Sequence, residues 1–494
     1  MLRQKKPIFK DNQGLDIAAY MGPRRAGKHI WEGEYGKYPL DPEEGYPSFF
    51  TDEIFELYRS AGLNILLPEG DAFYGTRVTK DGFCDEPDFE QSDLYAYMRI
   101  AEKYGLYVYP SIEKFFSHIA RGEGKFQDSE KQELRKFVEV MQKYFPNTFK
   151  GLLLTDEPPY YAFDNIKQIR QYLDSDEIVA IKSDIDIFTS MHPIYAPLHL
   201  LQDGYSDPKY KRLRYNEDRI KAYQSYMEKT ADAVGEISFD HYPFIYQNQL
   251  TPGFYENLEM AAEHGKKVKC PISVTIQSFQ LDEVQNVTTR RKSVIWRSPT
   301  YAEARWQLYS ALAFGVRRVG YYTFWTHYAL GTKFVQTDAM IVFEPSEEKG
   351  YRKTQLYDLI KEVNQEVLRF DHVFLQYEWQ GCKVIRKSRD ANIRRVKGGY
   401  EKGCIKTAEA TRDCLIGCMQ HSDDKTEGYW IVNAENPSHD QINDIRIVFE
   451  GADRVLYYRK GKEHDVSLEN AEFCLRLGVG EGIFVIPYST KVEQ

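Results

Sequence analysis

Residues 151–158 read GLLLTDEP. The first five are small, apolar or β-branched, too few for a helix and bounded by Gly and Pro. Such a run reads as a strand buried on both faces, the kind found in parallel sheets. Two acids, Asp156 and Glu157, follow where that strand leaves the core. If the strand belongs to a series of βα units, the acids stand at its carboxyl end, where parallel α/β folds place their chemistry.

Working outward, the same alternation holds from residue 16 to 370. Short apolar runs near 16–22, 63–68, 106–111, 186–192, 236–239, 272–276 and 319–324 bring the strands to eight. Amphipathic stretches at 51–60, 92–104, 128–144, 300–314 and 351–370 lie between or after them. Gly62, Gly105 and Gly315 close three of these helices, Pro299 precedes the last of the three, and Ser129 is placed to cap a fourth. Eight βα units predict a (β/α)8 TIM barrel; a doubly wound sheet rarely needs so many. Beyond residue 370 the period changes to two, with runs at 429–432, 445–449, 454–458 and 483–486. The expected organisation is a barrel over 1–370 followed by a small all-β C-terminal domain, a β-sandwich, over 371–494.

Bulk properties agree with that division. A chain of 494 residues is too long for one ordinary core. The 65 basic and 74 acidic side chains are interspersed and sum to −9, which argues against nucleic acid or a membrane as partner. The 7 cysteines form no disulfide framework, and Cys414 and Cys418 read as packing on one face of a strand. The basic start MLRQKKPIFK lacks an apolar core for a secretory signal, so a cytoplasmic setting is the simplest expectation. Self-association is left open.

The chemistry should lie in the residues just beyond each strand. Glu69 and Asp71 come after the second, Glu113 after the third, and Asp156 and Glu157 after the fourth. His192 and Tyr195 come after the fifth; Asp240, His241 and Tyr242 after the sixth; Gln277 and Ser278 after the seventh; Trp325, Thr326 and His327 after the eighth. Acids, imidazoles and aromatics recurring at one end suit a carbohydrate. Glycoside cleavage needs one carboxyl group to protonate the leaving oxygen and a second to attack or to activate water. Glu157 is the first candidate, because burial at a strand end raises a carboxyl pKa toward that of a proton donor. The plainer alternative makes Asp156 a helix cap with Glu157 in the first turn. Asp240 is the second candidate, with a structural pairing to a barrel Arg as its alternative.

These residues resemble a known group. LLLTDEP is similar to the Asn-Glu-Pro or Asp-Glu-Pro signature on the fourth strand of clan A (β/α)8 glycoside hydrolases, which implies Glu157 as acid/base. GYYTFWT resembles their eighth-strand ending, which implies Trp325 as the floor of the sugar subsite. Together with SFDHYPF, TIQSF and SPTYAEARWQLYSALAFG, they resemble β-galactosidase-like bacterial proteins of unassigned specificity over residues 16–330. Clan A retaining enzymes carry a nucleophilic Glu at the end of the seventh strand, and here that place is held by Gln277. Glu303, further on, sits in a helical pattern and reads as a surface position.

Other signals lead elsewhere or nowhere. GPRRAGKH at 22–29 nearly matches a phosphate-binding loop, but His29 replaces the hydroxyl that holds Mg²⁺. Neither metal nor cofactor is expected; Asp71, Asp156 and His192 would be the set that a cation used. Trp296 and Trp306 read as core. The expectation is therefore an exo-acting glycosidase with Glu157 and Asp240 as its paired carboxyls. Asp156, Glu69, Asp71, His192, Tyr195, His241, Tyr242 and Gln277 would bind hydroxyls, and Trp325 would lie beneath the ring. The rival is a non-catalytic sugar-binding barrel that has lost the strand-seven nucleophile.

Overall fold

A computed structural model of the chain describes residues 14–23, 32–33, 36–37, 50–68, 89–111, 117–120, 122–202, 217–246, 249–286, 291–326, 334–343 and 347–490. Each of the eight apolar segments forms a strand: Asp16–Tyr20, Ile65–Leu67, Tyr107–Val108, Gly151–Asp156, Asp186–Ser190, Ile237–Asp240, Ile272–Gln277 and Arg318–Tyr322. Six of them make one parallel sheet in the order third, second, first, eighth, seventh, sixth. The fourth and fifth pair in parallel, Gly151 opposite Asp186. Single parallel bridges, Val108 to Phe149 and Ser111 to Leu153, join the third strand's end to the fourth. Another, Met191 to Phe239, joins the fifth to the sixth.

The helices follow from local chemistry. Thr51 and Ser92 cap Asp52–Ser60 and Asp93–Lys103 by accepting from the N–H groups of Ile54 and Tyr95. Asp128–Tyr144 is capped two residues earlier than the sequence suggests. Gln127, not Ser129, is the cap residue, and the Glu130 carboxylate accepts from its N–H. Gly62 and Gly105 close their helices with positive φ, which a residue with a Cβ adopts only under strain. No described helix is long and apolar enough to cross a membrane.

Two regions depart from simple alternation. Strands Gln280–Asn286, Arg291–Trp296 and Phe334–Asp338 form an antiparallel sheet inserted after the seventh and eighth parallel strands. The sequence reading assigns these stretches to no strand, because their polar, charge-rich composition hides the period of two. The C-terminal region forms a six-stranded antiparallel sheet and a three-stranded one. Alternate residues of the larger sheet divide between two cores. Leu415, Met419, Trp430 and Val432 join the main core, while Cys414, Ile416, Cys418 and Ile431 face the smaller sheet. Cys414 and Cys418 thus share a face as free, buried thiols.

Helix Tyr301–Ala313 lies between the parallel strands and the larger C-terminal sheet, and eleven of its residues, from Glu303 to Ala313, are buried. Glu303 is therefore not a surface position; the C-terminal sheet covers the face that an outer barrel helix would show to water. Trp306 is core, as its helical spacing suggests, and Trp296 is half-buried.

Candidate active site

The fourth strand stays buried from Gly151 to Thr155 and delivers Asp156, exposed, and Glu157 at its end. Glu157 has a φ of 45°, the left-handed region that costs a non-glycine residue about 1–2 kcal/mol. Its N–H donates to Ser190 O at 2.8 Å, and its carboxylate meets His192 Nδ1 at 3.2 Å. Tyr226, from helix Glu217–Val234, ties these two loops together. Its hydroxyl donates to Pro158 O at 2.5 Å and accepts from the His192 N–H at 3.2 Å.

Asp240 ends the sixth strand and is buried, with the charges of Glu157 and Asp156 acting on its carboxyl. Burial first, then the charges of Glu157 and Asp156, holds Asp240 well above the usual carboxylate range. Burial thus favours the protonated form of Asp240. Tyr195, Tyr223, Tyr226 and Tyr242 complete its surroundings, and burial raises each phenol. Glu157 keeps 40% of its side chain exposed, so it is the member of the pair that a ligand meets.

Around this pair lies an aromatic wall. The Tyr20 hydroxyl donates to Asp156 Oδ1 at 3.3 Å, and its ring lies 6.1 Å from that of Tyr322. Tyr242 packs 5.7 Å from Tyr322 and 5.1 Å from Phe279. The sequence reading did not single out Tyr20, Tyr226, Phe279 or Tyr322. The first and last sit at strand ends, which was a usable signal; Tyr226 is an ordinary apolar-face residue of its helix and gave none.

The structure thus gathers Asp156, Glu157, His192, Tyr195, Asp240 and Tyr242 at the carboxyl ends of the strands. Three other expected ligand residues take different positions. His241 is fully buried between Tyr195 and Phe254, and burial pulls its imidazole down to about 3. Gln277 is fully buried with its amide taken up by main chain. Oε1 accepts from Phe244 N at 2.9 Å, and Nε2 donates to Phe244 O and to Arg297 O at 3.1 and 2.8 Å. Trp325 is only 2% exposed, tilted against Tyr351 at 5.9 Å. Glu69, Asp71, Glu113, His327 and segment 24–29 lie outside the described residues.

At the opposite ends of the same strands a second charged cluster fills the interior. Arg318 opens the eighth strand and donates to Glu236 Oε2 at 2.8 Å and Asp186 Oδ2 at 2.7 Å, with Asp16 Oδ2 at 3.6 Å. Burial pushes Glu236 up to about 7 against the pull of Arg318.

No family model matches the chain, and no curated protein matches it. Solved structures do. One described as "Glycoside hydrolase" aligns over 99% of this chain and 94% of its own at 11% identity, with a TM-score of 0.50. A family 5 glycoside hydrolase from Bacteroides vulgatus covers 96% and 90% at 11% identity, with a TM-score of 0.49. A family 39 glycoside hydrolase from the gut symbiont Bacteroides cellulosilyticus covers 96% and 81% at 10% identity, with a TM-score of 0.44. At these identities the likeness is one of architecture, and the first of the three carries it: the chain shares that structure's fold, a parallel central sheet with helices followed by antiparallel sheets.

Proposed function

We propose that this chain hydrolyses an O-glycosidic bond in a glycoside or oligosaccharide, on a (β/α)8 barrel over 1–370 with a β-sandwich domain over 371–494. The observation that carries the proposal is the placing of Glu157 and Asp240 at one end of the strands, Glu157 partly exposed beside His192 and Asp240 buried and held toward its protonated form. Glycoside cleavage requires a proton donor and a second carboxyl group flanking the scissile bond, the two roles that Glu157 and Asp240 divide in this reading. Glu157, the exposed member, protonates the leaving oxygen and takes its proton from Asp240. Asp240 is left as the carboxylate that assists attack. Asp156, Tyr195 and Tyr242 hold sugar hydroxyls, and half-buried Tyr322 offers its ring where Trp325 was expected. Exo-action on a short chain is part of the same reading.

The specific observation that favours the rival, a non-catalytic sugar-binding protein, is the amide of Gln277 locked onto Phe244 and Arg297 at the seventh strand. One experiment separates the two. Aryl glycosides and oligosaccharides are screened for released sugar with the natural chain and with Glu157→Gln. Hydrolysis by the natural chain, reduced about 10²–10⁴-fold in the variant, is the expected result. Sugar binding by calorimetry without any release supports the rival. Near-normal turnover by Glu157→Gln removes Glu157 from the chemistry.

A further inference from the structure

Behind the Asp240 wall of the site lies a chain of polar contacts that reaches the C-terminal sheets. The segment leaving Asp240 is held on one side by the seventh strand, His241 N–H donating to Thr275 O at 3.0 Å. Gln277 clamps both the N–H and the C=O of Phe244 with its side-chain amide. The same amide donates to Arg297 O, and Arg297 N–H donates to Phe244 O at 3.2 Å. The Arg297 guanidinium lies over the Phe244 ring, 5.4 Å from its centroid.

That guanidinium is in turn fixed by Glu303. Arg297 Nη1 donates to Glu303 Oε2 at 2.7 Å, and Nη2 pairs with Oε1. Glu303 is 1% exposed. Its carboxylate also accepts from Thr300 N–H at 2.8 Å and from the Ser438 hydroxyl at 2.8 Å. Ser438 further accepts from Arg297 Nη2 at 2.9 Å, and it follows strand Glu427–Asn433 of the larger C-terminal sheet. A planar, two-pronged pair of this kind fixes orientation as well as charge.

We propose that Glu303 is a positioning residue: through Arg297 and Gln277 it fixes the segment that carries Asp240, His241 and Tyr242, and through Ser438 it couples that segment to the C-terminal sheets. The inference rests on the proposed glycosidase reading, since the positioned group is Asp240. It also gives Gln277 a role that needs no contact with substrate. Asp240 faces Glu157 and Asp156 from the fourth strand, Tyr195 from the fifth-strand loop, and Tyr223 and Tyr226 from helix Glu217–Val234. Loosening its own segment admits water to a carboxyl whose proton is kept by burial.

The test compares the natural chain, Glu303→Gln and Ser438→Ala on whichever aryl glycoside the natural chain cleaves. Misplacing a catalytic group by about 1 Å costs on the order of 10²-fold, so a partial loosening in Glu303→Gln should lower kcat about ten-fold with KM nearly unchanged. The alkaline limb of its pH profile should move to lower pH, because Asp240 loses its proton more readily. Ser438→Ala should shift both in the same direction and less, and it carries the test if Glu303→Gln does not fold. Equal kcat per folded molecule and an unmoved alkaline limb in the variants overturn the proposal. If the natural chain cleaves no glycoside, the glycosidase reading falls separately. The coupling is then read from the ¹³C titration of the Asp240 carboxyl: a lower midpoint in the variants supports it, and an unchanged one overturns it.

Discussion

At the amino ends of the parallel strands Asp16, Asp186 and Glu236 surround Arg318; at the carboxyl ends Asp156, Glu157 and Asp240 gather with His192. Among the described residues each end gathers three acids, yet the two behave differently. Below, a guanidinium that is always charged meets its acids at 2.7 to 3.6 Å, and the positive charge within the cluster is permanent. Above, the neighbours that act most strongly on Asp240 after burial are other acids, and its carboxyl answers by keeping its proton. A cluster with a fixed cation is a plug. A cluster in which a buried acid keeps its proton is poised to give it away.

The largest effect that separates the two ends is expected from Arg318→Met. It leaves buried Glu236 and half-buried Asp16 and Asp186 without their cation. Removing one partner of a buried pair costs about 3–5 kcal/mol. The loss should be greatest above pH 7 and shrink on acidification as Glu236 and Asp16, both raised by burial, take up protons. Urea unfolding at several pH values measures it. A loss under about 1 kcal/mol at pH 8 would show that the lower cluster is solvated rather than a plug.

Asp240→Asn should act with the opposite sign on stability. The raised pKa means that the folded chain holds a proton on Asp240 which the unfolded chain releases near its ordinary value. The stability linked to that proton is complete at low pH and is lost as pH rises through the folded pKa. The natural chain should therefore lose stability relative to Asp240→Asn by up to about 1.4 kcal/mol for each pH unit within that window. The variant should also lose turnover. A difference in unfolding free energy that stays flat from pH 5 to 8 would show that Asp240 releases its proton as an exposed acid does.

How much of this was legible in the sequence depends on which contacts are local. GLLLTDEP announces a buried strand and the acids at its end, and ISFDHYPF does the same for Asp240, because apolar runs and their exits are properties of neighbouring residues. The side-chain directions were not local. Gln277 stands at the strand end that the pattern assigns to it, yet Phe244 and Arg297, 33 and 20 residues away, consume its amide. Glu303 reads as a solvent-facing helix position until the C-terminal sheet closes over it, bringing Ser438 from 135 residues further on. The inserted sheet was missed for a related reason. Strands rich in charge reveal a period of two only when their partner strands are known.

The smallest effect comes from a matched pair of hydroxyls. Tyr20 donates to Asp156 Oδ1 at 3.3 Å above, and Tyr109 donates to Asp186 Oδ2 at 3.0 Å below. Each ring stays packed when only the oxygen is removed, Tyr20 against Phe188 and Tyr322, and Tyr109 beneath the Arg318 guanidinium. A hydrogen bond of this kind contributes about 0.5–1.5 kcal/mol, or roughly two- to ten-fold in an equilibrium. If the upper end serves ligands and the lower end serves the fold, that energy should appear in different places. Tyr20→Phe should weaken binding of a sugar product or inhibitor by calorimetry while unfolding stays within about 0.5 kcal/mol of the natural chain. Tyr109→Phe should lower the unfolding free energy by about 1 kcal/mol and leave sugar affinity unchanged, because it takes an acceptor from Arg318 and a donor from Asp186 in a place no ligand reaches. Matching effects of the two variants on both measurements would mean that the upper acids, like the lower ones, are there to hold the strands together.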